Sequence, residues 1–136
     1  EKKLYLNTAQ PYEEFFQKCK ELKSKTMSFI KNEVRNGKKI HAYGASTKGN
    51  TILQYYELDD NLIDAIADRN PDKWNRKTIG TNLEIISEEK SRSLKPDYFL
   101  ILPWHFLEEF REREQEFFKN GGKFIVPLPD FKIIEK

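Results

Sequence analysis

Tyr98–Leu102 places five apolar residues in a row, Tyr-Phe-Leu-Ile-Leu, closed by Pro103. A strand with one face in water alternates apolar and polar residues, whereas an unbroken run is the pattern of a strand buried on both faces. Such a strand belongs inside a sheet with helices packed against it.

The rest of the chain supplies those elements in alternation. A helix is predicted over Pro11 to Asn36, with an apolar stripe of Tyr12, Phe15, Phe16, Cys19, Leu22, Phe29, Ile30 and Val34 and a weak turn near Thr26. Asn7 or Thr8 can cap its start, Pro11 suits a first turn, and Gly37 suits the residue past its end. Strands are predicted at Lys39–Tyr43, Leu62–Ala67, Leu83–Ile86, Tyr98–Leu102 and Phe124–Val126, with an edge strand at Phe131–Ile134 beyond Pro127-Leu-Pro129. Helices fall between them: from the Gly44–Asn50 turn to about Tyr56, Glu88–Leu94, and Trp104–Lys119, which Asn120-Gly121-Gly122 stops. Arg69–Gly80 reads as a polar loop opening on the turn signal Asn70-Pro71.

Strands alternating with helices imply parallel βαβ units with right-handed crossovers. The fold class is therefore α/β: a Rossmann-like three-layer domain with a mainly parallel sheet, preceded by a long N-terminal helix. An α+β domain with a mixed sheet is the alternative. Residues 1–37 form the helix, which could connect to an upstream domain, and residues 38–136 form the Rossmann-like domain. There are no internal repeats or low-complexity linkers.

Composition narrows the partners. The net charge of +2 comes from 24 basic and 22 acidic residues mixed along the chain, which leaves no footprint for nucleic acid. No run approaches the ~20 apolar residues that span a bilayer, so no membrane partner is expected. The one cysteine, Cys19, permits no internal disulfide and fits a reducing, cytoplasmic setting. The chain opens on Glu1 rather than Met and lacks a signal-peptide pattern, and a fragment of a longer protein is expected. Neither the two histidines, 64 positions apart, nor the single cysteine can build a metal site.

The turn Gly44-Ala-Ser-Thr-Lys-Gly-Asn50 lies between a strand and a helix, where backbone N–H groups and the helix dipole favour phosphate. Gly44 allows a sharp turn and Gly49 a close approach of helix to sheet, while Ser46, Thr47, Lys48 and Asn50 supply donors. Two standard fingerprints narrowly fail. Ser46 stands where the dinucleotide pattern G-x-G-x-x-G has its middle glycine, and Asn50 stands where a P-loop has its lysine, which argues against an ATPase. A tight turn that binds nothing is the bland reading.

With a strand order of 3-2-1-4-5, the strand before this turn neighbours Tyr98–Leu102, and the order reverses between them. Ligands of open α/β sheets sit at that crevice, beyond the strands' C-terminal ends. Gly44–Asn50 would form one side and Pro103-Trp104-His105-Phe106 the other, with Asp68 ending the adjacent strand. Asp68 follows Gly44 by 24 positions, close to the spacing at which an acid meets a ribose hydroxyl. Asp68 could equally cap the Asp68–Pro71 turn, and Trp104 could equally be a packing residue. His105 is a candidate ligand contact or proton carrier, whereas His41, inside a strand, reads as a packed histidine. The Glu108–Glu116 charge run reads as a solvated face with internal ion pairs. Trp74, Arg76 and Lys77 either close over a ligand or decorate the surface.

Four segments in this order carry a family resemblance. Gly44-Ala-Ser-Thr-Lys-Gly-Asn-Thr51, Asp68-Arg-Asn-Pro71, Lys95-Pro-Asp-Tyr98 leading into Leu102-Pro-Trp-His-Phe106, and Gly121-Gly-Lys-Phe-Ile-Val-Pro-Leu-Pro129 together resemble the C-terminal domain of S-adenosylmethionine-dependent sugar C-methyltransferases. The resemblance covers nearly the whole chain from the first helix onward. It implies a zinc-binding N-terminal region, a central domain that binds S-adenosylmethionine, and a Rossmann-like C-terminal domain that helps hold a nucleotide-linked keto-deoxysugar, such as a dTDP sugar. The reaction it implies removes a proton beside the sugar ketone and passes a methyl group to the carbanion. By position, Gly44, Ser46, Thr47, Lys48, Gly49, Asn50, Asp68, Trp104 and His105 would then lie at the substrate. The family often has asparagine after the Pro-Trp pair, so His105 is a departure.

The chain carries no glycine-rich motif for the methyl donor, no cysteine cluster and no Glu-His-Tyr stretch for a base. It is expected to bind substrate, to hold no cofactor of its own, and to depend on an upstream methyltransferase domain for catalysis. A free-standing nucleotide-binding or regulatory module is the second reading, and an NAD-dependent oxidoreductase, disfavoured by Ser46, is the third.

Overall fold

Alternate residues of the inner strands sort cleanly between two apolar clusters, as the two-residue period of a strand requires. Ile40, Ala42, Ile66, Leu100 and Ile125 pack on one face with Leu22, Ile30, Leu53 and Tyr56 from helices. Tyr43, Ala67, Phe99, Ile101, Phe124 and Val126 pack on the other with Phe110, Phe117 and Phe118. The computed structural model describes residues 2–45, 47–128 and 130–135, with the backbone alone described at 2–13, 15, 47 and 48.

The elements run α1 (Lys2–Arg35), β1 (Ile40–Tyr43), α2 (Thr47–Tyr55), β2 (Ala65–Asp68), β3 (Ile85–Ser87), α3 (Glu88–Ser93), β4 (Tyr98–Ile101), α4 (Leu107–Arg113), α5 (Gln115–Lys119), β5 (Lys123–Val126) and β6 (Lys132–Ile134). The sheet order is β3-β2-β1-β4-β5-β6. The first five strands are parallel and β6 is an antiparallel edge against β5. This is the Rossmann-like, mainly parallel sheet expected, with the order reversing between β1 and β4. In β4 the whole run Tyr98–Ile101 is buried. Among the described residues, no helix is long and apolar enough to cross a membrane, and no group of His, Cys, Asp or Glu is placed to hold a metal ion.

Several boundaries differ from expectation. The first helix begins at Lys2, so Asn7 and Thr8 lie within it and Pro11 is not in its first turn. Lys2–Gln10 is rich in Lys, Leu, Ala and Gln, good helix formers that carry the helix past one missing donor at Pro11. The side chains of Tyr12 and Phe15 lie outside the described residues. The helix runs unbroken through Thr26, which is fully buried with Leu22 and Ile30. The second strand starts at Ala65 because Leu62 and Ile63 are drawn into a turn on the carbonyl of Asp59.

The expected helix over Trp104–Lys119 is three pieces: a 3-10 turn at Trp104–Phe106, then α4 and α5. The break falls at Glu114, and it corrects the reading of the charge run as a solvated face. Glu114 is 1% exposed. Its Oε2 accepts from the hydroxyl of Tyr43 at 2.9 Å, and both its oxygens accept from the Arg92 guanidinium. Arg92 in turn reaches Glu88, and Arg113 lies over the rings of Tyr43 and Phe110. Burial, then the neighbouring Glu114 charge, pushes the Tyr43 phenol far above its ordinary range, so it stays protonated and donates to Glu114. The hydrogen bonds to Glu114 likewise hold Arg92 charged.

Candidate functional site

The C-terminal ends of β2, β1 and β4 deliver Asp68, Gly44 and Pro103 to one edge of the sheet. The ladder runs on past the strands, with Gly44 N–H donating to the carbonyl of Ala67 and Leu102 N–H to that of Tyr43. Gly44 then turns with φ +94°, a left-handed conformation that favours glycine. A Cβ added there would stand 2.7 Å from Cγ and Cδ of Pro103. One placed on Gly49 would stand 2.9 Å from the carbonyl of Gly44 and 3.1 Å from Cδ1 of Leu102. Both glycines thus let the turn lie directly against the segment leaving β4.

Asp68 holds the same turn from the other side. Its Oδ2 accepts from the Ala45 N–H and its Oδ1 from the Asn70 N–H, each at 2.8 Å. Lys73, on a 3-10 turn over Pro71–Lys73 capped by Asn70, donates from Nζ to the carbonyl of Ala45 at 2.6 Å and lies 3.9 Å from Oδ2 of Asp68. Trp74 Nε1 donates to the carbonyl of Asp68 at 2.8 Å, and its ring packs on the core. Sequence reasoning passed over Lys73. Its signal was the Asp-Arg-Asn-Pro run itself, since a 3-10 turn capped by Asn70 folds the chain back toward the acid.

The other expected residues fall in different places. Trp104 and His105 occupy the 3-10 turn after Pro103, with rings stacked at 3.8 Å and 22°. Trp104 packs partly on the second core cluster while His105 is exposed. Asn50 turns toward the loop before β3: its amide nitrogen donates to the carbonyl of Ile79 at 3.0 Å, and its oxygen accepts from Thr81 at 3.0 Å. Ser46 lies outside the described residues, as do the side chains of Thr47 and Lys48, whose backbone forms the first turn of α2. Arg76 and Lys77 are exposed, with their backbone paired to the edge at Ile85 and Glu84. His41 is buried, as expected, and shares a 2.6 Å hydrogen bond with Ser91.

Fold, reversed strand order and glycine turn define a Rossmann-like domain whose strand order switches between β1 and β4, beside the Gly44 turn. The chain belongs to the family described as the C-methyltransferase C-terminal domain, which matches residues 1–129. It is 32% identical over 123 residues to the C-methyltransferase NovU of Streptomyces niveus, a match covering 90% of this chain. The chain spans 29% of that relative's length.

The methyl donor that such a family implies, S-adenosylmethionine, does not fit this crevice in the manner of a βαβ adenosine site. Pro103 occupies the space against Gly44, and the Gly44 and Ala45 N–H groups are already given to Ala67 and Asp68. The first turn of α2, the Asp68–Lys73 segment and the Trp104–His105 turn all follow the C-terminal ends of β1, β2 and β4.

Proposed function

We propose that this chain is the C-terminal, substrate-holding domain of a sugar C-methyltransferase. Its crevice rim binds a nucleotide-linked keto-deoxysugar, such as a dTDP sugar, while an upstream domain of the same enzyme supplies S-adenosylmethionine and the catalytic base. The observation that carries this reading is the convergence of the Gly44 turn, Asp68 and the Trp104–His105 stack where the strand order reverses, in a domain of this family. The start of α2 favours the diphosphate electrostatically, and the stacked rings offer a flat surface for a base or sugar. Such an enzyme would work in the cytoplasm, where nucleotide sugars are made.

A rim rather than a closed pocket suits a shared site, because the sugar must stay open to a methyl donor held elsewhere. Family membership weighs against a free-standing nucleotide module. The test is titration with dTDP and dTDP sugars while backbone amide shifts are followed. Shifts should concentrate at residues 44–50 and 103–106. Saturable shifts confined to other parts of the chain would remove the site, and no shifts with any nucleotide would remove the reading.

A further inference from the structure

Arg69 is the residue after β2, and Glu109 lies in the first turn of α4, the helix that follows β4. Since β1 runs between β2 and β4, the Arg69–Glu109 ion pair joins the two flanks of the crevice across the end of β1. The nitrogen–oxygen distance is 3.8 Å, and the side chains are 68% and 58% exposed. An ion pair so open to water is weak and readily exchanged.

Arg111 pairs within α4 itself, with Glu108 at 3.3 Å, and other cations described around the turn and the α4–α5 layer are held more tightly. Lys73 is bound to the carbonyl of Ala45 and drawn to Asp68, so it is part of the turn. Arg92 is engaged by buried Glu114 and by Glu88, and partly buried Arg113 lies 3.7 Å from Glu88. Arg69 combines a place at the crevice with a partner it can give up. Its planar guanidinium can grip a phosphate through two parallel hydrogen bonds, which a carboxylate 3.8 Å away does not provide.

We propose that Arg69 is a phosphate-binding residue held in reserve by Glu109. The diphosphate of a nucleotide sugar draws the guanidinium away from Glu109 and across the mouth of the crevice. This rests on the reading that the crevice takes such a ligand. Glu109 then has two opposed effects: it parks Arg69 in place before the ligand arrives, and it competes with the phosphates once the ligand is there.

The two variants should therefore move affinity in opposite directions. Arg69→Gln should weaken dTDP binding to this chain about tenfold, the size expected for losing a charge-assisted contact. Glu109→Gln should tighten it about two- to threefold, the size of an exposed pair. Thymidine, which has no phosphate, should bind both variants as it binds the wild type. The gap between wild type and Arg69→Gln should narrow as salt rises toward about 0.5 M. Calorimetry gives each constant. Equal dTDP affinity in wild type and both variants would overturn the role of Arg69 while leaving the nucleotide site standing. Weakening by both variants would make the pair a structural clasp and overturn it too. A wild type that binds no dTDP or dTDP sugar would take down both readings together.

Discussion

Ala45 donates its backbone N–H to Oδ2 of Asp68 across 2.8 Å, so the acid that ends β2 holds the turn that leaves β1. With Asn70 on the other oxygen and Lys73 on the carbonyl of Ala45, the carboxylate ties three consecutive parts of the crevice wall together. Asp68→Ala should lower stability by about 2–3 kcal/mol, because two N–H donors lose their acceptor and Lys73 loses its counter-charge. Asp68→Asn, which keeps one carbonyl oxygen, should lose roughly half as much. Urea unfolding measures both. A variant at Asp68 as stable as the wild type would mean the turn is held by something else.

Gly44 has two independent reasons to be glycine: φ +94° and the Pro103 ring 2.7 Å from where a Cβ would sit. Gly44→Ala should cost about 2–4 kcal/mol, since neither the backbone nor a proline ring can easily shift. Gly37 is the control, with φ +86° and no atom within 4 Å of an added Cβ. Gly37→Ala should cost only about 1 kcal/mol, the conformational part alone. The difference between the two, read by thermal or urea unfolding, isolates the contact with Pro103. If the two costs match, that contact does not constrain the turn.

Glu114 couples β1, α3 and the α4–α5 break. Glu114→Gln should destabilise by about 2 kcal/mol, a figure reduced because Arg92 is partly exposed and can be hydrated. Tyr43→Phe should cost about 1 kcal/mol. The double variant should cost less than the sum, because both changes remove the same hydrogen bond. Additive losses in that cycle would show that the two residues act independently.

His41 carries a pH signature. Burial lowers its pKa below the ordinary 6.5, with Lys39 adding to the effect and Asp64 opposing it. The unfolded chain therefore takes up a proton that the fold resists. The His41 contribution is complete above pH 6.5 and is lost as pH falls from there through the depressed folded pKa. His41→Gln should remove that part of the acid slope. The difference between wild-type and variant stability should be flat above neutrality and shrink on acidification. A constant difference across that range would place the acid sensitivity elsewhere.

The alternation of strands with helices was legible in the sequence because it rests on local pattern, while the strand order could only be assumed until the sheet was seen. The Tyr98–Leu102 run had the pattern of an inner strand, and Gly44 after a short strand that of a tight turn. Which groups each polar residue engages was not legible. Asp68 read equally as a turn cap or a ribose contact, and the fold gives both its oxygens to backbone N–H groups. Asn50 stood in the turn by sequence, yet its amide bonds to Ile79 and Thr81. Glu114 looked like any other charge in an acidic and basic run. Its burial depends on Tyr43 and Arg92, which are 71 and 22 positions away.

The sequence by itself determined an α/β alternation of strands and helices with a glycine turn after the first strand, because apolar period and glycine placement act over a few neighbouring residues. Only the tertiary structure decided that Pro103 closes against Gly44, that Lys73 and Asp68 brace the turn, and that Arg69 meets Glu109 across the end of β1. Those pairings need strands distant in the chain to lie side by side. Hydrogen bonds and ion pairs reach only a few ångströms, so no local pattern can record them.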